Sequence, residues 1–187
     1  MIYFISDHHF GHAKIIEMAK RPFTNVWEMN EHMINAWNSV VTDEDEVYHL
    51  GDIGFKISLN QINTILSRLN GKIHLVIGNH DEKYIDKYKN RFTDRFVSIQ
   101  DLKNLEHIYE DKVYKFVLFH YPIGSWKGRF RGSIHLHGHT HNNAIDDTTG
   151  KDIHGHIMNV SVEHLNYIPI SIEDIIKKFK DKELKIV

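Results

Sequence analysis

The sequence predicts an α/β layered domain whose sheet is at least partly parallel. Three observations carry this. Short runs of β-branched and aromatic residues recur along the chain, segments with one apolar stripe at helical spacing lie between them, and polar residues capable of chemistry follow the strand-like runs directly. In chain order, Ile2 to Ile5 reads as a first strand, apolar enough for burial on both faces. A helix begins at His12 with Ile15, Ile16 and Ala19 on its stripe, and the chain breaks at Arg21 and Pro22. Asn25, with Glu28 three residues on, has the layout of a capping box and opens a helix presenting Met29, Met33, Ala36, Trp37 and Val40. The acidic run Asp43 to Glu46 reads as a solvated turn before a strand at Val47 to Leu50. Ser58 caps a helix striped by Leu59, Ile62, Leu66 and Leu69, and a strand follows at Ile73 to Ile77. From Asp94 to Val117 the helical pattern is weak, which predicts an antiparallel or second-sheet section leading into the strand Val113 to Phe119. Beyond the loop Pro122 to Ser133, Ile134 to Leu136 and Ile157 to Val160 read as strands. The last helix starts at Ser171, buries Ile172, Ile175, Ile176 and Phe179, and turns the lysines between Lys177 and Lys185 outward.

Composition narrows the function classes. The chain has 187 residues, 41% hydrophobic and 26% charged, which predicts one domain over residues 1–187 rather than a disordered chain. The longest apolar runs are four residues, far short of the ~20 a spanning helix needs. The amino terminus has neither a basic start nor a long apolar stretch, so the expectation is a cytoplasmic protein without a secretory leader. With no cysteine, thiolate chemistry is excluded and any metal must be held by oxygen and imidazole. The 16 histidines outnumber the 11 glycines, and many of them follow the strand candidates.

Asp7, His8 and His9 follow the first strand, Gly51 and Asp52 the second, and Gly78, Asn79, His80 and Asp81 the third. His120 ends the fourth, and Gly138, His139, Thr140 and His141 follow the fifth. Loops at the carboxyl ends of parallel strands converge on one crevice. Two Asp, one Asn and four His make seven donors, too many for one tetrahedral ion and suited to two ions sharing a bridging carboxylate. In an extended segment alternate residues point to one side, so Asp7 and His9 reach one metal while His8 points away, and His139 and His141 make a pair with Thr140 facing elsewhere. Gly51, Gly78 and Gly138 permit a close backbone approach or positive φ.

These blocks, Asp-x-His, Gly-Asp, Gly-Asn-His-Asp, a lone His and Gly-His-x-His, in order between Asp7 and His141, resemble the calcineurin-like metallophosphoesterase superfamily. The resemblance implies a four-layer α/β/β/α sandwich of two mixed sheets flanked by helices. It implies that Asp7, His9, Asp52 and His141 hold one divalent ion and Asp52, Asn79, His120 and His139 the other. Manganese is the first expectation, with iron, zinc, nickel or cobalt as alternatives. It makes Asp52 the bridge and His80 the non-ligand histidine near the leaving group; a protonated His80 is the candidate acid there, and Asp81, its neighbour in sequence, a candidate to orient it. The implied mechanism is attack on phosphorus by a hydroxide shared between the ions. Where many relatives carry a further acidic residue after Gly-Asp, this chain reads Ile53-Gly54-Phe55.

Other residues read less specifically. His12 either faces the substrate or packs, and His49 is open in the same way. His135 and His137 read as the polar face of a strand. His32, His74, His107, His154, His156 and His164 read as solvated or structural. Trp126, Lys127, Arg129 and Arg131 are candidates to clamp phosphate and stack a ring; the alternative is an exposed loop. Only 39 positions separate His80 from His120, too few for a large capping domain. The favoured function is therefore phosphodiester hydrolysis on a small nucleotide or exposed phosphodiester. A phosphomonoesterase or nuclease is the enzymatic alternative, and a metal-binding interaction scaffold the non-catalytic one. A net charge of −2 with no long basic stripe offers little for tracking duplex nucleic acid.

Overall fold

The computed structural model describes residues 1–88, 90–142 and 155–180. The elements are β1 (Ile2–Ile5), α1 (Ala13–Met18), α2 (Val26–Asn38), β2 (Glu46–His49), α3 (Leu59–Leu66), β3 (Lys72–Val76), α4 (Glu82–Tyr88) and α5 (Asn90–Thr93). They continue with β4 (Ser98–Gln100), β5 (Leu102–Tyr109), β6 (Lys112–Phe119), a 3-10 turn (Arg129–Arg131), β7 (Ile134–His137), β8 (His156–Asn159), β9 (Ile170–Ser171) and α6 (Ile172–Phe179). Two mixed sheets result, ordered β4-β3-β2-β1-β9 and β5-β6-β7-β8. In the first, β1 to β4 run parallel and β9 antiparallel. In the second, β5 and β6 form an antiparallel hairpin and β6, β7 and β8 run parallel. This is an α/β sandwich.

Side-chain alternation explains the layers. Ile5, Val47, Ile73 and Leu75 pack on one face of the first sheet with Ile15, Met29, Met33, Trp37 and Ile62 from α1 to α3. From the opposite face, Phe4, Tyr48 and Val76 meet Phe116, Leu118, Ile134 and Leu136 of the second sheet, and α6 closes this core with Ile172, Ile175, Ile176 and Phe179. The first sheet is therefore covered on both sides, and its parallel strands deliver their carboxyl ends beside those of β6, β7 and β8. A parallel bridge between Ser6 and Ser161 joins the extensions of β1 and β8 at that end.

Predicted strand limits lie within one residue of those observed, β1 matching fully. Asn25 caps α2 by accepting from the Glu28 amide, but the Glu28 carboxylate returns to the amide and hydroxyl of Thr24 instead of the cap residue. Ser58 and Gln61 form a reciprocal capping box on α3. The weak-helix section beyond Asp94 contains the hairpin; β5 escaped notice because its residues alternate exposed and half-buried at a sheet edge. Asp45 corrects the solvated-turn reading: it is buried, and it accepts from the amino-terminal ammonium at 2.5 Å and from Thr42. His135 and His137 are also fully buried, the former between the Val117 carbonyl and the Ile123 amide. Their strand face is polar but lies under Trp126 rather than in solvent. Among the described residues no helix is long and apolar enough to cross a membrane. His154, Lys182 and Lys185 lie outside the described residues.

The β5–β6 hairpin has a two-residue turn, Glu110 and Asp111, both with positive φ (49° and 61°). That is type I′ geometry, which favours glycine at the second position. Asp111→Gly is expected to stabilise the protein by up to about 1 kcal/mol, read as a higher denaturation midpoint at unchanged slope.

Candidate metal centre

The polar residues after β1, β2, β3, β6 and β7 meet at one end of the sandwich. Two groupings share no residue, Asp7, His9 and His141, and Asp52, His120 and His139; a third, His9, Asp52 and His80, overlaps both, and in each all ligand atoms lie within 4.8 Å of one another. Asp52 Oδ2 lies 3.5 Å from His9 Nε2 and 3.6 Å from His120 Nε2, so a single oxygen stands between the two groupings. The Asn79 amide oxygen adds to the second, 3.1 Å from both His120 Nε2 and His139 Nδ1.

Backbone conformation does the gathering. Asp7, His9, Asp52, His139 and His141 all have positive φ, between 48° and 70°. The extended alternation expected for Asp7-His8-His9 and His139-Thr140-His141 is therefore absent. Asp7 and His9 come together through left-handed residues, and His139 and His141 separate, one to each grouping. His8 points away as expected: its ring is fully buried against Phe10 and Trp37, with Nδ1 2.8 Å from His49 Nε2. Close approach also requires glycine in these loops. A Cβ on Gly78 would collide with Asp52, and one on Gly138 with Asp7 and Ser6.

Supporting hydrogen bonds turn particular atoms toward the centre. Asp7 Oδ2 accepts from Ser6 Oγ, Ser161 Oγ and the His139 amide at 2.6, 2.9 and 3.0 Å, which leaves Oδ1 to face His9 and His141. His120 donates from Nδ1 to the Leu50 carbonyl at 2.7 Å, and its Nε2 faces the oxygens of Asn79 and Asp52. His141 donates from Nδ1 to Glu163 at 3.0 Å, which leaves Nε2 facing Asp7. Imidazole donating one nitrogen to a carbonyl or carboxylate while presenting the other to oxygen ligands is the arrangement of metal-bound histidine. Both ring nitrogens of buried His9 are without a hydrogen-bond partner. This donor set fits divalent cations.

The electrostatics agree. Burial, and then the neighbouring Asp7, push the Asp52 carboxyl up to about 7, and burial drives His9 well down. Burial pushes His141 down, but the Glu163 bond and Asp7 together hold it above its ordinary value. Such a cluster of buried carboxylates and imidazoles is short of positive charge.

No protein-family model matches the chain. The uncharacterized protein MJ1445 of Methanocaldococcus jannaschii is 40% identical to it over 177 residues, 94% of this chain and 89% of the relative. The chain belongs to the MJ1445 family. The Gene 66 proteins of Mycobacterium phages D29 and L5 are 29% and 28% identical, covering 79% and 86% of this chain and 81% and 86% of their own. Among solved structures, the Aquifex aeolicus protein of unknown function AQ665 matches with a TM-score of 0.68 at 28% identity, covering 95% of this chain and 98% of its own. A novel archaeal phosphodiesterase matches with a TM-score of 0.45 at 20% identity, over 84% of this chain and 81% of its own.

His80 lies at the mouth of the centre, its Nε2 3.9 Å from Asp52 Oδ2 and its ring edge-on to Phe55 at 4.4 Å. Asp81 does not orient it. The fully buried Asp81 carboxylate instead accepts from the amides of Asp52, Ile53 and Gly78, and burial followed by Asp52 pushes it up to about 7. His12 faces the rim, packed on Phe55 and His9, and burial followed by the nearby His80 lowers it to about 4. Trp126 is buried against His135 and donates to the Ser133 carbonyl. Arg129 stacks on Trp126 and Phe130. Lys127 and Arg131 line a cavity beside the middle of β6 and the start of β7, with Lys115, Val117 and Ser133. Even Val117 stands three residues, about 10 Å of strand, short of His120, so the cavity lies apart from the His/Asp groupings, at the opposite end of β7. The Arg129 stem lies over Gly155, just before β8 and at that same far end.

Sequence reasoning missed Arg21, Ser161, Glu163, Phe55 and Tyr121, which walls the second grouping against His120 and His139. Ser161 and Glu163 follow β8, so the strand-end rule applied to that strand finds them. His164, read as solvated or structural, donates to the His141 carbonyl at 2.6 Å. Arg21, read as a chain break, is buried and donates to the carbonyls of Asp7 and His8 and to Glu163 at 2.7 Å. Arg21→Ala strands a buried carboxylate and two carbonyls. It is expected to destabilise the fold by about 3–5 kcal/mol, with no rescue by Arg21→Lys, measured by denaturant unfolding.

Proposed function

We propose that the protein is a binuclear metal-dependent phosphoesterase of the calcineurin-like type, acting on phosphodiesters in preference to monoesters. The observation that carries this is the single Asp52 oxygen standing between His9 of one grouping and His120 of the other. In this reading Asp7, His9 and His141 would hold one ion, Asn79, His120 and His139 the second, with Asp52 shared. Manganese is the favoured metal. Two such ions, when bound, supply charge neutralisation of the phosphate and acidification of water at neutral pH.

The chain's own residues do the rest. The carbonyl and carboxylate partners of His120 and His141 fix the tautomer of each neutral ring, with the inward nitrogen the unprotonated one. Phe55 packs against His9 of one grouping and Tyr121 against His120 of the other. His80 holds a proton at the mouth and gives it to the departing oxygen. Burial, and then Lys83, disfavour its protonated form in the free protein. A phosphate anion brought beside the ring restores that form.

Metal-stripped protein reloaded with manganese is expected to hydrolyse bis-p-nitrophenyl phosphate faster than p-nitrophenyl phosphate. The reverse order replaces the diester reading with a monoester one, and activity on neither despite bound metal favours the interaction scaffold. Asp52→Asn is expected to lose most bound metal and at least ~10²-fold in turnover. His80→Ala is expected to keep its metal and to lose ~10²- to 10⁴-fold with poor leaving groups and less with good ones; an equal loss across leaving groups excludes the acid role. Because Asp52 must shed its proton to bind a cation, manganese affinity is expected to weaken as pH falls below about 7, measured by equilibrium dialysis.

A further inference from the structure

Beside His80 lies a cavity of about 320 Å³ that the proposed ligands do not line. Its walls carry Lys56, Lys83 and Lys87 with Phe55, Tyr84 and His80, and among the described residues no carboxylate lines it. Lys83 and Lys87, four residues apart on α4, share one helix face. Glu82 lies elsewhere on that helix, where its charge acts on Tyr121. Lys56 sits on a left-handed backbone (φ 54°) with its ammonium 5.2 Å from the Phe55 ring centre. The Tyr84 hydroxyl accepts from the Ile57 amide at 3.1 Å and donates to the Ile57 carbonyl at 3.0 Å, so the loop bearing Lys56 and the helix bearing Lys83 form one braced wall. Phe55 is common to this cavity and to the His80 ring.

The geometry points to a subsite for a second phosphate, carried by the leaving alcohol of the ester. The inference rests on the phosphoesterase reading and adds a substrate class to it: phosphate esters whose leaving group is itself phosphorylated. Lys56 and Lys83, on a wall that carries no carboxylate among the described residues, suit a phosphate dianion, and the shared wall puts that phosphate next to the residue that protonates the leaving oxygen.

The test is calorimetric binding of thymidine 3′,5′-bisphosphate and of the 3′- and 5′-monophosphates to the manganese-loaded protein. It uses wild type, Lys83→Ala/Lys87→Ala, and Lys112→Ala/Lys115→Ala, the last removing equal charge at the far end of β6. The bisphosphate is expected to bind at least about tenfold more tightly than either monophosphate to wild type. That ratio is expected to fall below about threefold in the Lys83/Lys87 variant and to survive in the remote one. Equal binding of all three ligands to wild type overturns the subsite, as does an equal fall in both variants. Turnover of bis-p-nitrophenyl phosphate by wild type separates the two claims. Failure to turn over either it or p-nitrophenyl phosphate sinks the phosphoesterase reading and the subsite with it, whereas turnover of either without bisphosphate preference sinks the subsite alone.

Discussion

The buried carboxylate of Asp7 is the tie on which the rest of the centre depends. Its oxygens accept from Ser6, from Ser161 beyond β8 and from the His139 amide beyond β7. Its own amide donates to Gly51 beyond β2, and its carbonyl accepts from Arg21. One fully buried residue thus fastens strand ends from both sheets to the segment between α1 and α2. A carboxylate in that position is costly unless its hydrogen-bonding capacity is filled, which explains the density of donors around it. The same saturation leaves one Asp7 oxygen turned toward His9 and His141.

Left-handed backbone is the second constraint. Five candidate ligands take positive φ, where side chains other than glycine sit at a cost of order 1–3 kcal/mol each. The strain is held by surrounding bonds: the Asp81 carboxylate clamps the amides of Asp52, Ile53 and Gly78, and Asn159 bonds Thr140 and the His141 carbonyl. Left-handed residues after β1, β2 and β7 aim neighbouring side chains at a shared point, which straight strands cannot do. Gly78 and Gly138 let these turns approach to contact distance.

Much of this was legible in the sequence. Periodicity and β-branched runs located the strands that build both cores, and Ser58, Asn25 and Ser171 marked their helices through caps that are local in sequence. The seven candidate ligands were found because each follows a strand and carries distinctive chemistry. The reason they converge was not legible: alternation along an extended segment was the wrong geometry, and His139 and His141 part because each is left-handed. Arg21 escaped because a buried ion pair spanning 142 positions leaves no local signal, and Ser161 and Glu163 because the strand-end rule was not carried on to the last parallel strand. Lys127 and Arg131 lie between His120 and His139 in sequence, but the loop that bears them must return the chain to the start of β7, which carries them away from the centre.

The most direct test of the central claim is anomalous diffraction from crystals soaked in manganese. The account predicts two peaks per chain, one among Asp7, His9 and His141, the other among Asp52, Asn79, His120 and His139, with Asp52 touching both. A single peak, or peaks away from Asp52, would contradict it.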